Sequence, residues 1–186
     1  NGRLSTKSAA GALRWSWLMQ PAYRRLAGVW AQTRADAQRY NALEAPVRGV
    51  SGNLKFDAAP DVGQHTRAAQ ARGAREAAGN PPIAVLASSR EGEERSLLEA
   101  LNAAAHNSDA VQWLIVPRHP QRFDDVAALI EHHGWRCLRR SQWRADAPPA
   151  AQAPKTIWLG DSMGEMSYYF ALSEVALLGG SFEPLG

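Results

Sequence analysis

Three short runs, IAVLAS (83–88), VQWLIV (111–116) and TIWL (156–159), are apolar almost without interruption. A strand with one face in water alternates apolar and polar residues, so runs of this kind must bury both faces. A parallel sheet covered by helices on each side meets that demand. The sequence between the runs supplies the helices. Residues 91–105 set Leu97, Leu98, Leu101, Ala104 and Ala105 on one stripe. FDDVAALIEHHG (123–134) sets Phe123, Val126, Ala127 and Ile130 on another, with Gly134 at the stop. WRCLRRS reads as a weaker strand, DAPPAAQAPK as a loop, 163–174 as a helix and VALLGGS as a last strand. Strand and helix in alternation predict an α/β, Rossmann-like parallel-sheet domain over 81–186 with right-handed crossovers.

Open sheets of this kind bind ligands beyond the carboxyl ends of their strands, which selects four loops. In SSREGEE (88–94), Ser88 and Glu91 have capping-box spacing, leaving Arg90, Glu93 and Glu94 over; an anion at the helix N-terminus is the alternative reading. PRHP (117–120) puts Arg118 directly after a buried strand, where a guanidinium is suited to phosphate, while His119 reads as a solvated loop residue. GDSMGE (160–165) repeats the S-x-x-E spacing with Ser162 and Glu165. Gly164 is not explained by capping, because glycine inside a helix costs roughly 0.8–1 kcal/mol against alanine; close approach of a ligand to the backbone is the functional reading. The fourth loop, GGSFEP (179–184), offers glycine-flanked backbone N–H groups to an anion. No GxGxxG, Walker, zinc, GxSxG or calcium-loop pattern is present. The lone Cys137 excludes a disulfide framework and reads as a buried structural thiol.

Charge is uneven. Residues 1–57 hold nine Lys and Arg against three acids, a net of +6 in a chain of +3 overall. Within them, 8–45 read as largely helical, with Trp15, Trp17, Leu18, Leu26, Val29 and Trp30 as an apolar face. Tryptophans among arginines suit either a membrane-interface helix or core anchors flanked by solvated charge. VRGV (47–50) predicts a short strand and Gly52 a break. The Ala-, Arg- and Gly-rich stretch 58–80 reads as an interdomain linker containing a helix. The chain begins at Asn1 without a signal-peptide pattern and stops in what reads as a loop, so a fragment of a longer protein is expected.

Six motifs in order, NGRLSTKS (1–8), GNLKFD (52–57), SSREGEE (88–94), VPRHPQRF (116–123), GDSMGEM (160–166) and GGSFEPLG (179–186), resemble the 3-deoxy-D-manno-octulosonic acid (Kdo) transferases. The resemblance spans nearly the whole chain and implies a two-domain GT-B glycosyltransferase. It would move Kdo from CMP-Kdo to a lipid A precursor (lipid IVA) in lipopolysaccharide synthesis, with inversion, without a metal or other cofactor, at the cytoplasmic face of the inner membrane. Residues 1–57 would close the acceptor-binding domain and 81–186 form most of the donor domain. The family's CMP contacts map onto Pro117, Arg118, Met163, Gly164 and Glu165, with Arg118 neutralising the departing phosphate. Ser88, Ser89, Glu91, Gly180 and Ser181 become donor-loop candidates, and Arg3, Asn53 and Lys55 candidates for interdomain or substrate contacts. Ser89 and Arg90 stand where the family usually has Thr and His, and Gly2 where it has Ala. The resemblance places the catalytic glutamate upstream of Asn1 and the rest of the GGHNPLE donor loop from Gly186 onward, so no catalytic residue is assigned and the fragment alone is expected to be inactive. The competing readings are a GT-B enzyme using a UDP-sugar and a non-catalytic protein that binds anionic ligands such as nucleic acid.

Overall fold

The computed structural model describes residues 1–57, 59–104, 110–144, 147–149 and 153–182. Ala105 at the end of one expected helix, residues 145, 146 and 150–152 of the expected loop region, and 183–186 of GGSFEPLG lie outside the described residues. The chain forms two compact units, Asn1–Ala59 and Pro60–Gly186.

In the first unit, helices α1 (Thr6–Arg14) and α2 (Ser16–Arg24) precede strand β1 (Val29–Ala31), helix α3 (Arg34–Ala42) and strand β2 (Val47–Val50), with β1 and β2 parallel. The expectation of a largely helical 8–45 is corrected here. Val29 and Trp30, β-branched and aromatic, enter a strand rather than a helix. Nor do the tryptophans anchor a core. Leu4, Ala9, Ala12 and Leu43 do so, with Met19, Tyr23 and Tyr40 against them. Trp15, Trp17, Leu18, Leu26 and Trp30 are exposed on this unit. Thr33 caps α3, its hydroxyl accepting from the Asp36 N–H at 3.0 Å and donating to the Asp36 carboxylate at 2.6 Å. That hydroxyl, then the Leu4 N–H, outweigh burial and, with Arg39, hold the Asp36 carboxyl below the usual range.

The second unit is the expected parallel α/β sheet. Helix α4 (Val62–Ala77) leads into β3 (Ile83–Ser89), α5 (Glu93–Ala103), β4 (Gln112–Pro117), α6 (Phe123–His132), β5 (Arg136–Arg139), β6 (Thr156–Leu159), α7 (Met166–Leu172) and β7 (Val175–Leu178). The strands stand in the order β5-β6-β4-β3-β7, all parallel. Both faces of the apolar runs are covered. Val85, Ala87, Leu114, Val116 and Trp158 meet Ala68 of α4 and Tyr168, Tyr169 and Leu172 of α7. Leu86, Ile115, Ile157 and Leu159 meet Leu98 and Leu101 of α5 and Val126, Ala127 and Ile130 of α6.

Two segments differ from expectation. The stretch 58–80, read as a linker, is mostly helix α4, and its fully buried Ala68 makes it a layer of this unit. The expected helix 163–174 runs only over Met166–Leu172, because Gly164 sits before it with φ +78°.

The chain steps outward from β3 to β4 and on to the edge strand β5, fills the gap between them with β6, then crosses to the other side of β3 as β7. This reversal is the topological switch point of a doubly wound sheet. There the backbones nearly touch: a Cβ on Gly179 would lie 2.2 Å from the Ser88 carbonyl oxygen. Glycine at 179 is therefore demanded by strand packing.

Candidate functional site

A cleft of about 190 Å³ opens at the carboxyl ends of β3, β4 and β6. It is lined by Ser88, Pro117, Arg118, Met163, Gly164 and Glu165, together with Val116, Ser162, Met166 and Tyr169. All five residues mapped from the family's CMP contacts thus meet on one surface, joined by Ser88 from the donor-loop candidates. Pro117 is buried as the last residue of β4, and Arg118 beyond it is exposed. The Arg118 N–H donates to the Ser89 carbonyl at 3.1 Å, which fixes the backbone while leaving the guanidinium free to face a ligand. Ser88 has φ +55°, at an irregularity in the β3–β4 register between Ala87 and Ser89. A non-glycine residue in that region is unusual and costs about 1–3 kcal/mol; here it forms a bulge at the rim of the cleft, and pairing resumes at Ser89 opposite Pro117.

The 160–166 loop is held differently from the capping box expected of it. Helix α7 has no side-chain cap from Ser162; Glu165 occupies the cap position without capping. The Ser162 hydroxyl instead donates to the Glu165 carboxylate in a short contact and shares a 2.5 Å hydrogen bond with the Tyr169 phenol. Burial pushes that phenol well above its ordinary range, so it stays protonated. The helix is capped from a distance. Gln64 of α4 accepts from the Tyr168 N–H at 3.2 Å and donates to the Gly164 carbonyl at 3.0 Å. Gly164 itself needs no ligand to explain it, since its φ of +78° is the left-handed conformation that glycine adopts most easily. Space beyond its Cα is open.

SSREGEE and GGS also behave otherwise than predicted. Ser88 belongs to β3, Glu91 is exposed, and α5 starts after Gly92 at φ +94°, so no Ser88–Glu91 box forms. The two acids left over by that reading are the buried ones. Glu94 accepts from the Ser89 hydroxyl at 2.5 Å and takes Arg122 bidentately at 2.9 and 3.0 Å. Glu93 accepts from the N–H groups of Arg90 at 2.8 Å, Gly180 at 2.6 Å and Phe182 at 3.3 Å. Burial alone would raise the Glu93 carboxyl, but these backbone donors hold it below the usual range. Of the GGS backbone donors expected to face a phosphate, Gly179 donates to the Ala87 carbonyl and Gly180 to the protein's own Glu93 carboxylate, and the Ser181 side chain is exposed.

Arg3, Asn53 and Lys55 lie in the first unit. Arg3 and Lys55 are exposed, and Asn53 closes a local turn by accepting the Lys55 N–H at 3.1 Å. Cys137 is half-buried, with burial pushing its thiol up to about 11, consistent with an inert structural thiol. Sequence reading missed Gln64, Tyr169, Arg140 and Ser141. The signal available for the last two was the polar run RRS at the end of a weak strand; nothing local pointed to Gln64.

A doubly wound parallel sheet with a cleft on its carboxyl edge defines a Rossmann-like domain. Residues 1–58 match the family model described as "3-Deoxy-D-manno-octulosonic-acid transferase (kdotransferase)". The 3-deoxy-D-manno-octulosonic acid transferase of Bordetella pertussis is 40% identical over 98% of this chain and 42% of the relative. That of Haemophilus influenzae is 28% identical over 97% of this chain and 41% of the relative. The solved C-terminal CMP-Kdo binding domain of WaaA from Acinetobacter baumannii superposes with a TM-score of 0.56 at 31% identity, over 66% of this chain and 61% of that one. Over nearly its whole length this chain is similar to 3-deoxy-D-manno-octulosonic acid transferases, and it spans about two fifths of the length of the curated relatives it matches.

Proposed function

We propose that this chain is the donor-binding part, with the adjoining end of the acceptor domain, of a glycosyltransferase that moves Kdo from CMP-Kdo to lipid IVA. The observation that carries the reading is the convergence of Pro117, Arg118, Met163, Gly164 and Glu165 on one cleft, in a chain whose relatives are named for Kdo transfer. The chemistry of the cleft fits a nucleoside monophosphate leaving group. Arg118 supplies a cation at the cleft for the phosphate, whose charge grows as the bond to the sugar breaks. Glu165, an acceptor-only carboxylate, suits donor groups such as hydroxyls and not the phosphate. In this reading the sugar is transferred with inversion and without a metal, the cation at the phosphate being a side chain. Competition binding is the test: CMP displaces a labelled cytidine nucleotide at concentrations at least tenfold below UDP. A preference for UDP sinks the reading in favour of a UDP-sugar enzyme. Retention of unrelated DNA with a steep salt dependence would favour a nucleic-acid-binding protein.

The first unit supports a membrane-surface role for the acceptor side. Helix α2 buries none of its nine residues. Trp15, Trp17 and Leu18 are exposed beside Arg14 and Arg25, a composition that suits the interface of an anionic bilayer. No helix among the described residues is long and apolar enough to cross one. Placement at the cytoplasmic face of the inner membrane follows from this reading and an intracellular nucleotide donor. Trp15→Asp with Trp17→Asp is expected to lower the fraction sedimenting with phosphatidylglycerol vesicles by several-fold; unchanged sedimentation removes the membrane role from this helix.

A further inference from the structure

Arg140 lies outside the cleft lining, yet it is tied to the one acidic side chain inside it. It begins the short turn Arg140–Gln142 that follows β5, the edge strand paired with β6. The side chain is buried, with its guanidinium 5.2 Å from the Trp143 ring centroid and 5.5 Å from that of Tyr168. From there Nη2 reaches Glu165 Oε1 at 2.7 Å. The next residue grips the other end of the same loop. The Ser141 N–H donates to Asp161 Oδ1 at 2.9 Å, and its hydroxyl donates to Oδ2 at 2.7 Å. Two consecutive residues thus hold carboxylates at 161 and 165, while Ser162 binds the remaining Glu165 oxygen.

This bracket does what the loop cannot do for itself. Between the two carboxylates lie the exposed Met163 and Gly164, and a glycine at φ +78° leaves that turn free to take other conformations. The Glu165 side chain also makes no cap bond to α7; the side-chain cap comes from Gln64. The conformation that puts Glu165 on the cleft wall is therefore set in part from behind, at Oε1, by a cation lying over two aromatic rings, while Ser162 holds Oε2. A guanidinium at that position compensates the part-buried carboxylate and orients it on the cleft wall.

We infer that Arg140 is a positioning residue of the nucleotide cleft: held between Trp143 and Tyr168, it orients Glu165 for ligand without touching ligand itself. The inference rests on the proposed nucleotide reading. The test is a double-mutant cycle on the purified protein, with CMP as the probe and calorimetry as the readout. Arg140→Met is expected to weaken CMP binding about tenfold in the native background, the size of one charge-assisted hydrogen bond. In the Glu165→Gln background it adds less than about twofold, because the residue it acts through is already altered. A purely structural role would cost the same in both backgrounds, and that outcome, or no effect in the native one, overturns the inference. Should Arg140→Met not fold, Arg140→Lys takes its place, keeping the charge but losing the planar fork. It is expected to weaken CMP binding in the native background only, and unchanged binding there overturns the inference. Failure of the unmutated protein to bind CMP overturns the functional reading and this inference with it; CMP binding unaffected by Arg140 overturns this inference alone.

Discussion

Arg118→Ala is expected to weaken CMP binding by about 10- to 100-fold while the thermal unfolding midpoint stays where it was. The size follows from the loss of a charge-assisted contact to phosphate, worth roughly 1.5–3 kcal/mol. The absence of a folding effect follows from the structure. The Arg118 side chain is exposed, and its position is fixed by its own backbone N–H on Ser89, which alanine keeps. Exposed substitutions away from such features usually stay within about ±0.5 kcal/mol. Arg118→Lys should fall between, since an ammonium keeps the charge but not the bidentate geometry. Calorimetric titration with CMP, beside a melting curve, reads both quantities. Normal CMP affinity in Arg118→Ala would remove the phosphate from this end of β4 and leave the cleft without its central cation.

The second large effect belongs to folding. Arg122→Met should destabilise the protein by roughly 3–5 kcal/mol, the usual cost of stranding one partner of a buried ion pair. Glu94 has a fully buried side chain, and Arg122 supplies two of its three hydrogen bonds. Removing the guanidinium leaves a carboxylate out of water with only the Ser89 hydroxyl. Adding Glu94→Gln to Arg122→Met should recover part of the loss, because the charge needing compensation is gone. Urea unfolding is the measurement, with a lower midpoint at unchanged slope as the expected result; a midpoint like that of the unmutated protein would show the pair to be dispensable. The pair also ties the carboxyl end of β3 to the turn before α6, since Arg122 reaches the Ser89 carbonyl at 3.4 Å. Loss of nucleotide binding should accompany loss of stability.

Glu94 marks where sequence reading stopped. The spacing of Ser88 and Glu91 matched a capping box, yet the helix begins later, and the acids beyond it make the structural bonds. A local box satisfies one or two backbone donors. The alternative satisfies two buried carboxylates with partners 28 and 87 residues away, which no local pattern reports. The same holds at GDSMGE, where the Ser162–Glu165 spacing is real but the two side chains bond each other and the cap comes from Gln64, 104 residues upstream of Tyr168. In the first third, Trp15 and Trp17 read equally as anchors or as surface, because their periodicity is the same in both cases.

By itself the sequence determined the architecture of the second unit and the edge on which its cleft would lie. Unbroken apolar runs need burial on both faces, their alternation with amphipathic helices makes a covered parallel sheet the solution, and such a sheet places its loops in known positions. The tertiary structure alone decided which polar groups in those loops pair with each other and which remain for a ligand. Periodicity records which face of an element is buried. It does not record strand order, and strand order brings Glu93 to Gly180, Glu94 to Arg122 and Glu165 to Arg140, leaving Arg118 facing the cleft.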